Sequence, residues 1–247
     1  DLPFAPPTFT EAQRTMPVLA QAMVLAAGRG ERMRPLTDHT PKPLLNVRGQ
    51  ALMQWPMQAL ARAGFTRQLI NTAWLGEQIA AHFGTHPVWP DTPGVRLMYS
   101  HEGQDFGHAL ETAGGIVRAL PQLAPIFWVV AGDIYAPDFD FSGQEALDFE
   151  ASDKLAHIWL VPNPPHNPGG DFGLSAEGLA LNLPKPASLL TFSTFALYKK
   201  EFFDPQFTGM PVGNPQGRRC LCAARPGIPT ATPAIHDRRQ PHRPAAQ

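Results

Sequence analysis

The chain has 247 residues, 43% hydrophobic and 17% charged, with a formal net charge of -1. That is enough apolar chain to bury one large core, with room for a small appendage. The near-neutral balance argues against an electrostatic nucleic-acid binder, and no apolar run approaches the roughly 18 residues of a membrane-spanning helix.

Residues 1–17 are rich in proline and threonine and read as a flexible leader, without the apolar centre of a signal peptide. From Val18 to Ala27 the text VLAQAMVLAA is almost wholly apolar and stops at a glycine loop, the form of a buried parallel strand. Residues 28–50 are loop-like. ALMQWPMQALARAG then has helical spacing, with Leu52, Trp55, Leu60 and Ala63 on one face. Pro56 falls in its first turn and Gly64 at its stop. RQLINTAW is a second strand, LGEQIAAHFG a helix ended by Gly84, and VRLMYSHE a third strand. ETAGGIVRALPQL reads as a helix entered through glycines. IFWVVAGDIY is the most apolar strand, and LAHIWLVPN and SLLTFSTFALY are two more.

Strands alternating with helices predict an α/β, Rossmann-like fold with a mostly parallel central sheet and helices on both faces. Ligands of such sheets sit beyond the C-terminal ends of the strands. The loop after Ala27, the loop near Glu111 and the loop after Gly132 then surround one crevice. The main domain spans 18–205. Residues 206–247 have few large aliphatics, no period and many prolines and arginines, apart from a Phe207 at their start. They read as an irregular or disordered tail. Cys220 and Cys222 there have neither disulfide-framework nor metal spacing and read as free thiols of a reducing cytoplasm.

Gly28 and Gly30 allow close backbone approach and positive φ, so amides can turn into the crevice. Arg29, Arg32 and Arg34 supply charge, and an arginine fork matches phosphate oxygens. Pro35, Pro41 and Pro43 stiffen the loop, and Lys42 between two prolines is aimed. The loop is neither a G-x-G-x-x-G nor a Walker sequence. By itself it fits a polyphosphate site or a solvated surface loop. Asp133, after the most apolar strand, suits a Mg²⁺ ligand beside phosphate, or a turn aspartate. Glu111 and Thr112 fit a sugar or base contact, or a plain helix start. His39, His101 and His108 fall in loops and read as solvated.

L-A-A-G-x-G-x-R-x-x-P-L-T over 25–37, followed by P-K-P-L over 41–44, resembles the signature of the sugar-1-phosphate nucleotidyltransferases. N-T-A-W-L at 71–75, L-E-T-A-G-G-I at 110–116, G-D at 132–133, N-P at 163–164, G-D-F at 170–172 and L-T-F-S at 190–193 are similar to its small bacterial branch. That branch includes uridylyltransferases acting on N-acetylmuramate 1-phosphate in cell-wall recycling. The resemblance covers 22–205. It implies a cytoplasmic enzyme that takes UTP, or another nucleoside triphosphate, and a sugar 1-phosphate, with Mg²⁺ and with no nucleic-acid or membrane partner. By this resemblance Gly30, Glu31 and Arg32 hold the triphosphate, and Arg32 neutralises the leaving pyrophosphate. Lys42 steadies the α-phosphate, Asp133 is the first metal aspartate, and Asp171 is a sugar-site acid. Gly28 joins the nucleotide set and Glu111 the substrate set.

Two positions depart from the pattern. Ala131 stands where the branch has asparagine. The family's closing W-x-D-x-G-T segment, which carries its second metal aspartate, has no counterpart, and the text after FFDP reads as out of frame or replaced. Two alternatives follow: another nucleotide-sugar pyrophosphorylase, such as one using mannose 1-phosphate and GTP, or a homologue that binds without turnover.

Overall fold

The structure is a computed structural model and describes residues 19–141, 143–181, 189–203 and 222–226. In chain order its strands are β1 (Ala20–Ala26), β2 (Asn46–Val47), β3 (Gln50–Ala51), β4 (Arg67–Thr72), β5 (Arg96–His101), β6 (Leu123–Ala131), β7 (Ala156–Val161), β8 (Gly173–Leu174), β9 (Ala180–Leu181), β10 (Thr191–Lys199) and β11 (Cys222–Pro226). The helices are α1 (Gln54–Arg62), α2 (Gly76–Phe83), α3 (Glu102–Phe106), α4 (Glu111–Ala119) and α5 (Gly143–Ala151). A seven-stranded sheet runs in the order β11-β7-β10-β6-β1-β4-β5, and β2–β3 and β8–β9 form small antiparallel pairs. Among the described residues no helix is long and apolar enough to cross a membrane.

The central strands are apolar on both faces because both faces are covered. Trp128 and Val130 of β6 and Val24 of β1 join Met57, Leu60 and Ile79 of α1 and α2 on one side. Phe127 and Val129, alternating with them, join Met23, Ile116 of α4 and Phe203 on the other. At about 25 cal/mol per Å² of buried apolar surface, these two layers supply the main driving force for folding. The α/β expectation holds.

Several details differ from the sequence reading. The helix predicted over 51–64 begins at Gln54 and buries Pro56, Met57, Ala59, Leu60 and Ala61. Trp55 instead meets Tyr135 edge-to-face at 5.3 Å in a small separate cluster. β10 lies between β6 and β7 and runs antiparallel to both. A period-2 pattern is the same in either direction, so the reversal is invisible in the sequence. Five residues of the tail expected to be irregular form β11, which pairs in parallel with β7 at the sheet edge, from Cys222↔Ala156 to Pro226↔Leu160. Backbone pairing along an open edge needs no hydrophobic period, and an edge strand tolerates proline. The leader over 1–17 and the rest of the 206–247 tail, Cys220 included, lie outside the described residues.

Candidate functional site

β1 ends at Ala26 in the middle of the sheet, flanked by β4 and β6. The chain then leaves as the glycine-arginine loop, which its own side chains fold. Gly30 has φ 68°, and a Cβ there would lie 3.1 Å from both Lys42 Cβ and Thr37 Cγ2. Thr37 is fully buried, and its Oγ1 donates to the Gly30 carbonyl at 2.9 Å. Gly28 does not adopt positive φ, contrary to the sequence expectation. Nothing stands within 4 Å of a Cβ built there, so its bareness leaves room instead.

The three loop arginines divide their work. Arg29 donates to the Thr37 carbonyl at 2.8 Å and to Asp38 Oδ1 at 2.9 Å, and its guanidinium lies 3.8 Å over the Trp74 ring. Arg34 Nε donates to the same Asp38 oxygen at 2.7 Å. The hydrogen bond from Arg29, joined by that from Arg34, holds the Asp38 carboxyl below its ordinary value. Both cations therefore fold the loop. Arg32 is exposed and forms no ion pair with a described residue, which leaves its fork available to a ligand.

Lys42 opens a single 3₁₀ turn (Lys42–Leu44) between Pro41 and the buried Pro43. Its Nζ stands 2.6 Å from Asp133 Oδ2, although 91 residues separate the two. Asp133 follows β6 through Gly132, whose N–H donates to the Leu25 carbonyl at 2.9 Å. A Cβ at 132 would lie 3.1 Å from that oxygen, so the glycine permits the close approach of the two loops. The side chains of Lys42 and Asp133 are 25% and 37% exposed, open enough to meet a ligand.

These loops bound a cleft of about 780 Å³. Gly28, Gly30, Glu31, Arg32 and Lys42 line one wall, with Asp133 and Glu111 also on the cleft surface. Glu111 opens α4 at φ 59°, left-handed backbone that is costly for a non-glycine residue. The glycines expected at the mouth of that helix are its fourth and fifth residues, Gly114 and Gly115, so they offer no free terminal amides to the crevice.

Asp171 stands apart from this lining. Its Oδ2 accepts from the Phe192 N–H at 2.8 Å and its Oδ1 from Asn167 Nδ2 at 3.2 Å, tying the 163–171 loop to the start of β10. The cleft also holds Asn71, Glu102 and Thr194, to which sequence reasoning gave no role, together with His108. Asn71 and Glu102 were detectable as polar residues at the C-terminal ends of apolar strands. His108, read as solvated, lines the cleft and donates from Nδ1 to the Phe106 carbonyl at 2.9 Å. Thr194 sits at φ 69° where the register of β10 against β7 shifts, and its Oγ1 is buried with no partner among the described residues.

Among the described residues no three His, Cys, Asp or Glu side chains converge as a metal cage. Of the carboxylates that line the cleft, Asp133 is the one paired with Lys42. That donor set suits Mg²⁺, which keeps its waters and takes further oxygens from a substrate's phosphates.

The family model described as nucleotidyl transferase matches residues 21–177. The chain is 47% identical over 190 residues to N-acetylmuramate α-1-phosphate uridylyltransferase of Neisseria meningitidis serogroup B, covering 74% of this chain and 77% of that one. It is 39% identical over 108 residues to the enzyme of the same name from Caulobacter vibrioides, covering 43% of each. In fold it is similar to the crystal structure of a Bacillus anthracis protein assigned as a glucose-1-phosphate thymidylyltransferase. The TM-score is 0.67 at 18% identity, over 84% of this chain and 87% of the other.

Proposed function

The chain belongs to the nucleotidyl transferase family, as a sugar-1-phosphate nucleotidyltransferase, and from that premise we propose that it transfers a uridylyl group from UTP to N-acetylmuramate 1-phosphate. Pyrophosphate is the second product, and the step serves cell-wall recycling in the cytoplasm, where nucleoside triphosphates are made. The 47% identity to the Neisseria enzyme supports the choice of sugar and base. The observation that carries the chemistry is the meeting of Lys42 and Asp133 at 2.6 Å, in one cleft with Arg32, which forms no ion pair with a described residue.

In this reading an oxygen of the sugar phosphate attacks the α-phosphorus of UTP. The bond from that phosphorus to the α,β-bridging oxygen breaks, and its electrons leave with pyrophosphate. Arg32 takes the β- and γ-phosphate oxygens in its fork and offsets the charge that pyrophosphate carries away. The stiff turn at Pro41–Pro43 aims Lys42 at the α-phosphate, where its charge counts most as the transition state forms. Gly30 and Glu31 shape the loop around the triphosphate, and Glu111, also on the cleft surface, serves the sugar substrate. Asp133 would hold Mg²⁺ together with triphosphate oxygens, and that ion would neutralise phosphoryl charge. Asp171, through its bonds to Phe192 and Asn167, shapes the sugar side from outside the cleft.

Pyrophosphate release with Mg²⁺, from UTP, GTP and dTTP each paired with a panel of sugar 1-phosphates, tests the proposal. Turnover of UTP with N-acetylmuramate 1-phosphate is expected. Turnover confined to another pair, such as GTP with mannose 1-phosphate, reassigns the substrates. Calorimetric binding without turnover makes the chain a binding homologue.

A further inference from the structure

Glu102, the first residue of α3, is fully buried, yet it forms no ion pair with a described residue. Each of its oxygens takes one hydrogen bond. Asn71 Nδ2 donates to Oε1 at 2.8 Å, and the Leu110 N–H donates to Oε2 at 2.8 Å. Asn71 in turn accepts from the Ala26 N–H at Oδ1, 2.9 Å away. That backbone amide fixes the orientation of Asn71, because a turned side chain would set Nδ2 against an N–H. Every hydrogen along the chain therefore points toward Glu102. A carboxylate accepts at both oxygens, whereas a glutamine of the same shape accepts at one and opposes a donor with the other.

Three further features fit the carboxylate. A Cβ at Gly115 would lie 2.5 Å from Glu102 Oε1 and 3.0 Å from Asn71 Nδ2, so this glycine inside α4 makes room for the pair. Leu110 immediately precedes α4, which puts the buried negative charge against the positive end of a nine-residue helix. The three backbone points joined are the end of β1, where the glycine loop begins, the end of β4, and the approach to Glu111 and Thr112. Both sides of the cleft are thus pinned to one buried side chain.

We propose that Glu102 is a positioning residue for catalysis: acting through Asn71 and Leu110, it locks the root of the glycine loop to the 110–112 segment and so sets the alignment of the nucleotide cleft. Its side chain is fully buried and each of its oxygens accepts from a protein donor, so its effect reaches the cleft through Asn71 and Leu110. The inference rests on the reading of this cleft as the nucleotide site.

The test uses the full chain carrying Glu102→Gln, with Glu102→Asp as the conservative variant. Amide hydrogen exchange at Leu110 and Ala26 is measured without ligand, and KM and kcat for UTP with its sugar 1-phosphate are measured separately. In Glu102→Gln, Leu110 exchange should rise about tenfold and KM for UTP should rise about tenfold, the size of a buried donor left without its acceptor. The value of kcat should change far less, and Glu102→Asp should recover part of both losses. Should Glu102→Gln not fold, Gly115→Ala, which displaces the carboxylate, should raise the same KM in a folded protein. Unchanged KM in the folded variants, or equal loss of melting temperature in both with exchange and KM unmoved, overturns the proposal. Faster Leu110 exchange in a protein whose wild type never binds UTP would keep the lock and sink the UTP reading alone.

Discussion

Replacing Lys42 with alanine should separate catalysis from folding. The ammonium stands 2.6 Å from Asp133 Oδ2, but the two side chains are 25% and 37% exposed. Water and salt screen such a pair, so losing it costs the fold about 1 kcal/mol or less. In a domain of this size that lowers the melting temperature by roughly 2–4 °C. The effect on rate is far larger. Removing a positioned charge from the α-phosphate in a cleft takes away about 3–4 kcal/mol of transition-state stabilisation, or roughly 10²–10³-fold in kcat. Pyrophosphate release and a tryptophan-fluorescence melt, run on the same preparations, read both quantities. A melt lowered by 10 °C or more, or a kcat within about threefold of wild type, would refute the assignment of Lys42 to the reaction.

Other substitutions probe the walls of the cleft. Thr194→Gly removes a β-branched residue from φ 69° and a buried hydroxyl that has no partner among the described residues, and should stabilise the protein by about 1 kcal/mol in urea melts. Gly30→Ala puts a Cβ at 3.1 Å from Lys42 Cβ at φ 68°, and should cost about 1–2 kcal/mol in the same melts and reduce turnover. The lowered pKa of Asp38, caused first by Arg29, means that its contribution is present above the ordinary value of 3.8 and is lost as pH falls below it, through the lower folded-state value. Trp74 emission should therefore change in that acidic window, because Arg29 stacks on its ring, and Asp38→Asn should remove the transition.

The order of the six long strands and of α1, α2 and α4 was legible from local pattern, and so was the crevice beyond the strand ends, whereas α3, α5 and the two short strand pairs were not read. Short, fully apolar runs at β1 and β6 declare burial on both faces, and the glycine loop, Lys42 and Asp133 carry their chemistry in residue type and position. The helix boundaries slipped where sequence periodicity ran on past the first and last hydrogen-bonded turns, as before Gln54. The direction of β10 was hidden because alternation is blind to it, and β11 because edge pairing is made by backbone rather than by side chains.

The sequence by itself determined which residues could bind phosphate, since charge, glycine freedom and proline stiffness are properties of the residue and its neighbours. Tertiary structure decided what each one does. Three arginines identical in chemistry separate into two that hold Asp38 and one left open to the cleft, and Asp171 turns to the backbone at Phe192. Asn71 and Glu102 acquire their meaning only when β1, β4 and the approach to α4 converge. The reason is geometric: a hydrogen bond needs a donor and acceptor within about 3 Å and well aligned, and for residues as far apart in sequence as Lys42 and Asp133 only the packed fold brings them so close.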